Sequence, residues 1–154
     1  PGHTAGHLAF HFLDERVIFF ADLDLVKFGP YYGDIGSSID DTIKSLQRLA
    51  KIDADVYLVS HGKEGILDGD PAYIQHYIDV INQREEKLVS FLASGPKTIP
   101  EITAHGIIYG GHKLADGAWD LSMSEKSMMQ KHLERLERIG HVKKENDTYV
   151  LSRG

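Results

Sequence analysis

The residues best suited to chemistry are His3, Asp22 and His61, three polar side chains that each stand beside a predicted strand. Imidazole nitrogens and carboxylate oxygens suit zinc, iron or manganese. A carboxylate can also bridge two cations, because each of its oxygens holds lone pairs. Taken singly, each residue is weak evidence, since a lone histidine is commonly a turn or surface residue and an aspartate after a strand commonly caps a turn.

The elements that would position these side chains alternate between strands and helices. Residues 8–12 and 17–21 predict a hairpin, and residues 56–59 predict a further strand. Apolar residues at helical spacing predict helices over residues 39–51 and from about residue 71 to 92, with loops over residues 23–37 and after His61. Such alternation indicates an α/β layer architecture.

Capping signals mark where helices begin. Ser37-Ser38 can cap the first helix, and both Thr98-x-x-Glu101 and Ser122-x-x-Glu125 have the spacing of a capping box. The helix predicted after Ser122 ends at Gly140, and a hairpin turning at Asn146-Asp147 follows it. Helices followed by a closing ribbon predict a small winged-helix-like domain.

A turn signal at Ser94-Gly95-Pro96 coincides with a change in charge. Residues 1–94 hold 8 Lys+Arg and 15 Asp+Glu, a net charge of −7, whereas residues 95–154 hold 9 and 8, a net charge of +1. We therefore expect two domains, 1–94 and 95–154.

Composition narrows the class of protein. The 154 residues carry a formal charge of −6 and are 42% hydrophobic, and no apolar run approaches the roughly 20 residues that cross a bilayer. The absence of cysteine excludes disulfides, thiolate metal ligands and a cysteine nucleophile, and it fits a reducing compartment. We expect a cytoplasmic protein with no membrane partner. The chain begins at Pro1 rather than Met, which suggests that it is not a whole gene product.

The short sequence motifs around the three polar residues resemble those of a known family. Pro1-Gly2-His3-Thr4-Ala5-Gly6-His7, Phe19-Phe20-Ala21-Asp22 and Val59-Ser60-His61-Gly62 resemble the third, fourth and fifth metal motifs of the metallo-β-lactamase superfamily. The resemblance covers roughly residues 1–70. The rest of the chain is similar, less specifically, to the winged-helix-like extension of the lactamase-β-like branch. The implied fold is the C-terminal half of an αββα sandwich followed by that small domain.

The resemblance also implies roles. His3 would ligate the first metal, Asp22 would bridge two metals as the catalytic aspartate, and His61 would ligate the second. His7 falls where the family has a group that orients a ligand, and His11 is expected to face solvent. The family's HxHxDH motif is absent from this sequence, and three ligands are too few for two metals. We therefore expect a C-terminal portion of a larger dinuclear zinc hydrolase, inactive by itself, with iron or manganese as other metals.

The loop after Asp22 would lie at the mouth of the site. Tyr31 and Tyr32 could line a substrate pocket there and Lys27 could meet an anionic group, although tyrosines packed within the loop are the alternative. The expected substrate is a small-molecule ester, thioester or phosphodiester. No glutathione-binding tail is present, which disfavours a glutathione thioester.

Two other functions stay open. A nuclease of the same superfamily could use the basic residues of the later part, but acidic residues interleave with them, as on a solvated helix face. A winged-helix regulator is disfavoured by a net charge of only +1 over residues 95–154. A further hypothesis is that the extension packs over the active-site face or forms a homodimer contact, with Trp119, Met128 and Met129 as apolar anchors for either.

Overall fold

The computed structural model describes residues 1–61, 65–110 and 121–152. Trp119 lies outside these ranges. The chain divides into two compact units, Pro1–Ile81 and Asn82–Gly154. Among the helices described, none is long and apolar enough to cross a membrane.

The first unit is built on a mixed four-stranded sheet with the order β1-β2-β3-β4. Its elements are β1 (Phe10–Phe12), β2 (Val17–Phe19), helix α1 (Ile39–Leu49), β3 (Val56–Leu58), β4 (Ile66–Asp68) and the first turns of helix α2 (Ala72–Leu92). β1 pairs antiparallel with β2, as the predicted hairpin requires, and β2 runs parallel to β3. β4 was not predicted from the sequence.

The two faces of this sheet differ. Ile18 and Tyr57, which are paired across β2 and β3, are fully buried against the helices. The register places Phe10, Phe19, Leu58 and Ile66 in one row on the opposite face. Phe10 is 50% exposed and Ile66 is 60% exposed, so this face is apolar but uncovered in the part of the chain described.

The second unit contains the rest of α2, β5 (Lys97–Thr98), α3 (Ile99–His105), α4 (Ser122–Arg138), β6 (Val142–Glu145) and β7 (Thr148–Leu151). The strands form a three-stranded antiparallel sheet in the order β5-β7-β6. The predicted hairpin is confirmed, with Asn146 at a φ of 53° in its turn. Met128 and Met129 are fully buried within this unit, so neither offers an exposed anchor to a second copy.

The capping predictions have mixed outcomes. Ser38 caps α1 by accepting from the Asp41 amide, and Thr98 with Glu101 forms a complete capping box at α3. The third prediction was wrong: α4 begins at Ser122 with no side-chain cap. Glu125 is instead 2% exposed and accepts hydrogen bonds from the amides of Ile108 and Tyr109. The Glu125 carboxylate, which the local pattern assigned to the start of α4, thus binds the amides of a loop about 16 residues earlier in the sequence.

The boundary between the units falls inside α2 rather than at Ser94-Gly95-Pro96. Ile74 and Ile78 belong to the first core, whereas Leu88 and Leu92 belong to the second. The net charge of the sequence changes after the last turn of α2, but the helix passes from the first core to the second near its middle. Composition alone does not show where this change of core occurs.

Candidate metal centre

Asp22 and His61 reach the same edge of the sheet because β2 and β3 are parallel. Beyond the strands, the Phe20 amide donates to the Leu58 carbonyl at 2.8 Å and the Ser60 amide donates to the Ala21 carbonyl at 2.9 Å. The segments that follow β2 and β3 therefore stay adjacent as far as Asp22 and His61. The carboxyl ends of neighbouring parallel strands are where α/β proteins place ligand sites.

His3 is held by the N-terminal end of α1. The Ser38 amide donates to the Gly2 carbonyl at 2.9 Å, and the Ser37 hydroxyl donates to the His3 carbonyl. Gly2 has a φ of 141°, and a Cβ at this position would lie 2.5 Å from Thr42 of α1. The close approach of the turn to the helix therefore requires glycine.

One cavity of about 520 Å³ gathers the predicted ligands. It is lined by His3, Asp22, Asp24, Val26, Phe28, Gly29, Tyr31, His61 and Tyr77. Of the residues expected to meet substrate, Tyr31 is in this lining. Tyr32 is fully buried and is not part of it, and Lys27 is an exposed residue outside it whose carbonyl accepts from His76 Nε2 at 2.9 Å.

The hydrogen bonds of the two imidazoles suit metal binding. His3 Nδ1 lies 3.0 Å from the Tyr31 carbonyl oxygen, and His61 Nδ1 lies 3.1 Å from Asp24 Oδ1. Both oxygens only accept, so in the neutral rings each Nδ1 carries the hydrogen and each Nε2 has the lone pair. Metal-binding histidines commonly have this arrangement. Asp22 Oδ1 lies 3.9 Å from His61 Nδ1, beside the same ring.

His7 lies next to His3, with the ring centroids 5.6 Å apart. Burial, reinforced by the neighbouring His3, lowers the pKa of His7. Its Nε2 is buried and has no hydrogen-bond partner in the described structure. The position beside His3 is compatible with an orienting role, and His11 is exposed on β1.

The donor types fit a cation, but the set is incomplete. Within residues 1–61, 65–110 and 121–152, no three histidine or acidic side chains converge closely enough to hold one metal ion. His3, Asp22 and His61 share a cavity without closing on a single point. This arrangement agrees with a site for which these residues supply only part of the ligands.

Sequence reasoning missed Asp24. This residue lies two positions after Asp22 in a loop, so no periodic pattern singled it out. Ala21 and Leu25, which flank the Asp22–Asp24 segment, both have a φ of 51°. Left-handed backbone at residues other than glycine costs energy and is concentrated at functional sites. A second acidic residue so close to a candidate ligand was the available sequence signal.

Comparison with known proteins supports the metallo-β-lactamase superfamily. Residues 1–61 match the family model described as Metallo-beta-lactamase superfamily. A "Beta-lactamase-like protein 2 homolog" of Caenorhabditis elegans is 25% identical over 142 residues, which cover 92% of this chain and 44% of that protein.

Solved structures agree with this result. A metallo-beta-lactamase family protein from Thermus thermophilus superposes with a TM-score of 0.80 and 26% identity, covering 98% of this chain and 47% of that one. A beta-lactamase domain protein from Burkholderia ambifaria has the same fold, with a TM-score of 0.74, 20% identity and coverage of 98% and 46%. The chain thus spans less than half the length of these relatives.

Proposed function

We propose that the chain is the C-terminal portion of a metal-dependent hydrolase in which His3, Asp22 and His61 are metal ligands. The observation that carries the proposal is that these three residues, separated by up to 58 positions in sequence, line one cavity. Two zinc ions are the proposed cofactors, and iron or manganese would suit the same ligands. The remaining ligands would come from residues outside this chain.

The chemistry follows from the types of side chain present. Bound divalent metal ions lower the pKa of a water molecule and stabilise the developing negative charge of the reaction. In this chain, His3 and His61 would bind through Nε2, and Asp22 would offer both carboxylate oxygens. His7 would orient the turn that carries His3. A water nucleophile is consistent with the absence of cysteine and of a GxSxG motif in the sequence.

The uncovered apolar face of the first sheet supports the proposed sandwich. Phe10, Phe12 and Ile66 expose about half or more of their surface on this face. A second sheet that packs face to face at about 10 Å would bury such a row. In the second unit, α3, α4 and the three-stranded sheet form the proposed winged-helix-like domain.

The proposed substrate is a small-molecule ester, thioester or phosphodiester. Tyr31 lines the cavity, and Val26 and Phe28 add apolar surface to the same lining. Lys27 lies outside that lining and Tyr32 is fully buried. Either residue would therefore affect substrate binding only indirectly, through the conformation of the loop.

A nuclease has less support. Three of the basic side chains that could contact a nucleic acid are paired with carboxylates in the second unit: Lys131 with Glu134 at 3.4 Å, Arg135 with Glu85, and Lys143 with Glu145 at 2.5 Å. Such pairs make mixed-charge surfaces, whereas nucleic-acid sites concentrate unpaired positive charge.

Zinc titration calorimetry of the chain and its single variants tests the ligand assignment. We expect weak binding by the wild type and a loss of at least about tenfold in His3→Ala, Asp22→Ala and His61→Ala, because each removes a direct ligand. His11→Ala, an exposed histidine on β1, is the matched control and should bind like the wild type. Equal affinity in the ligand variants and the control would contradict the proposal.

A further inference from the structure

Asp24 holds one residue by two hydrogen bonds. Its Oδ1 accepts from the His61 backbone amide at 3.0 Å and lies 3.1 Å from His61 Nδ1. The Asp24 side chain is 23% exposed, whereas the neighbouring Asp22 side chain is 47% exposed. Asp24 is therefore turned towards His61 and is the less accessible of the two carboxylates.

These contacts determine which nitrogen of His61 is available. A carboxylate oxygen accepts and does not donate, so in the neutral ring the hydrogen must lie on Nδ1. The lone pair then lies on Nε2. The hydrogen bond from the His61 backbone amide holds the main chain of the same residue, so both the position and the tautomer of the ring depend on one carboxylate.

The loop that carries Asp24 is itself held in place within the first unit. The Val26 amide donates to the Tyr77 hydroxyl at 3.3 Å, and His76 Nε2 donates to the Lys27 carbonyl at 2.9 Å. Leu23 and Leu25, on either side of Asp24, are buried in the first core. Asp24 is thus presented by a segment anchored on both sides, which gives its hydrogen bonds a fixed direction.

We propose that Asp24 is a positioning residue that holds His61 with Nε2 directed to a cation. The tautomer follows from the hydrogen bonds alone, and its use for metal binding rests on the proposed function. Carboxylates that orient metal-binding histidines typically contribute a factor of about 10–100 to metal affinity.

Long-range ¹H–¹⁵N NMR spectra of the labelled 154-residue chain, at a pH of about 8.5 where imidazoles are ordinarily neutral, read the tautomer directly. We expect the Nδ1–H form of His61 in the wild type and a shift of at least about twofold towards Nε2–H in Asp24→Ala, which has no acceptor at this position. Asp24→Asn should restore the wild-type spectrum, because its amide oxygen accepts. Asp34→Ala, an exposed aspartate of the same loop, is the matched control.

An Nε2–H ring in the wild type, or an unchanged ring in Asp24→Ala, would overturn the proposal. The wild-type spectrum decides the matter even where Asp24→Ala lowers stability. Zinc titration of the same samples separates the two proposals. Binding about 10–100-fold weaker in Asp24→Ala supports the positioning role, and equal binding overturns it. A wild-type chain with the expected tautomer that leaves the His3 and His61 resonances unmoved by zinc would contradict the proposed function alone.

Discussion

Glu125 is a carboxylate that stabilises a loop from the inside. It is 2% exposed and its oxygens accept from the Ile108 amide at 3.1 Å and the Tyr109 amide at 2.9 Å. Both amides donate to the same oxygen, Oε2, and Glu125→Ala removes this acceptor. We expect a loss of roughly 2 kcal/mol in the free energy of unfolding, measured by urea denaturation. Glu134→Ala, at an exposed position of the same helix, should change the free energy of unfolding by less than about 0.5 kcal/mol.

A second buried polar group links stability to pH. Glu85 accepts from Arg135 and lies 3.1 Å from Nδ1 of His132, which is fully buried. Burial lowers the pKa of His132. The Glu85 carboxylate raises this pKa, but the nearby Arg84 and Arg135 also lower it, and the pKa is lowered on balance. Burial alone would raise the pKa of Glu85, but hydrogen bonds from His132 and Arg135 lower it on balance.

Both shifts predict that the second unit loses stability as pH falls. Below the ordinary histidine pKa of about 6.5, the unfolded chain takes up a proton that buried His132 resists, so each pH unit costs up to about 1.4 kcal/mol. Glu85 adds to the loss as pH falls below about 4.5, through its lowered folded pKa. Urea midpoints between pH 7.5 and about 5 measure the effect.

The comparison of two variants isolates His132 in that experiment. His132→Gln should flatten the dependence on pH between about 7.5 and 5, because glutamine does not titrate. His141→Gln, at an exposed position of the same unit, should leave the slope as in the wild type. A slope that survives His132→Gln would show that other groups cause it.

At the scale of the elements, the first sheet makes unequal use of its two faces. Ile18 of β2 is fully buried under the helices, whereas Phe10 of β1 is half exposed on the other face. Ile18→Ala should therefore cost about 2–5 kcal/mol of unfolding free energy, and Phe10→Ser about 1 kcal/mol or less. Phe10→Ser should also lower the fluorescence of a dye that binds exposed apolar surface. Comparable losses of stability in the two variants would contradict this account of the faces.

Elements were predictable from sequence where a local pattern was long enough. The apolar spacing in α1 and α2 and the turn at Asn146 anticipated the helices and the last hairpin. β1, β2 and β3 have only three residues each but lie in longer apolar runs, whereas β4 (Ile66–Asp68) stands between two glycines and β5 is Lys97–Thr98. Glu125 shows a second limit of sequence-based prediction. A glutamate can cap the start of its own helix or bind the amides of a distant loop, and the local sequence does not distinguish the two roles.

At the scale of the whole molecule, we expect the 154-residue chain to hydrolyse no model ester at an appreciable rate. The three proposed ligands, His3, Asp22 and His61, would be too few for two metal ions, which need about four ligands each. Elemental analysis of the purified chain should show at most one weakly held ion. Turnover that persists in the chain and disappears in Asp22→Ala would show that its own residues suffice.

The proposed ligands were singled out from the sequence, whereas the groups that hydrogen-bond to them were not. Short motifs around His3, Asp22 and His61 carried the resemblance, because each motif is a run of neighbouring residues. Asp24 and the Tyr31 carbonyl meet their histidines only after the loop folds back over the sheet edge, a contact across 37 and 28 positions that no local pattern encodes.

The contact between Gly2 and Thr42 limits how position 2 can vary. A backbone at a φ of 141°, with helix atoms 2.5 Å from where a Cβ would stand, leaves room for hydrogen alone. Alanine, the smallest replacement, would push the turn off α1 and carry the next imidazole with it. Among all substitutions at position 2, we therefore expect only glycine to keep His3 in place, because every other amino acid carries a Cβ.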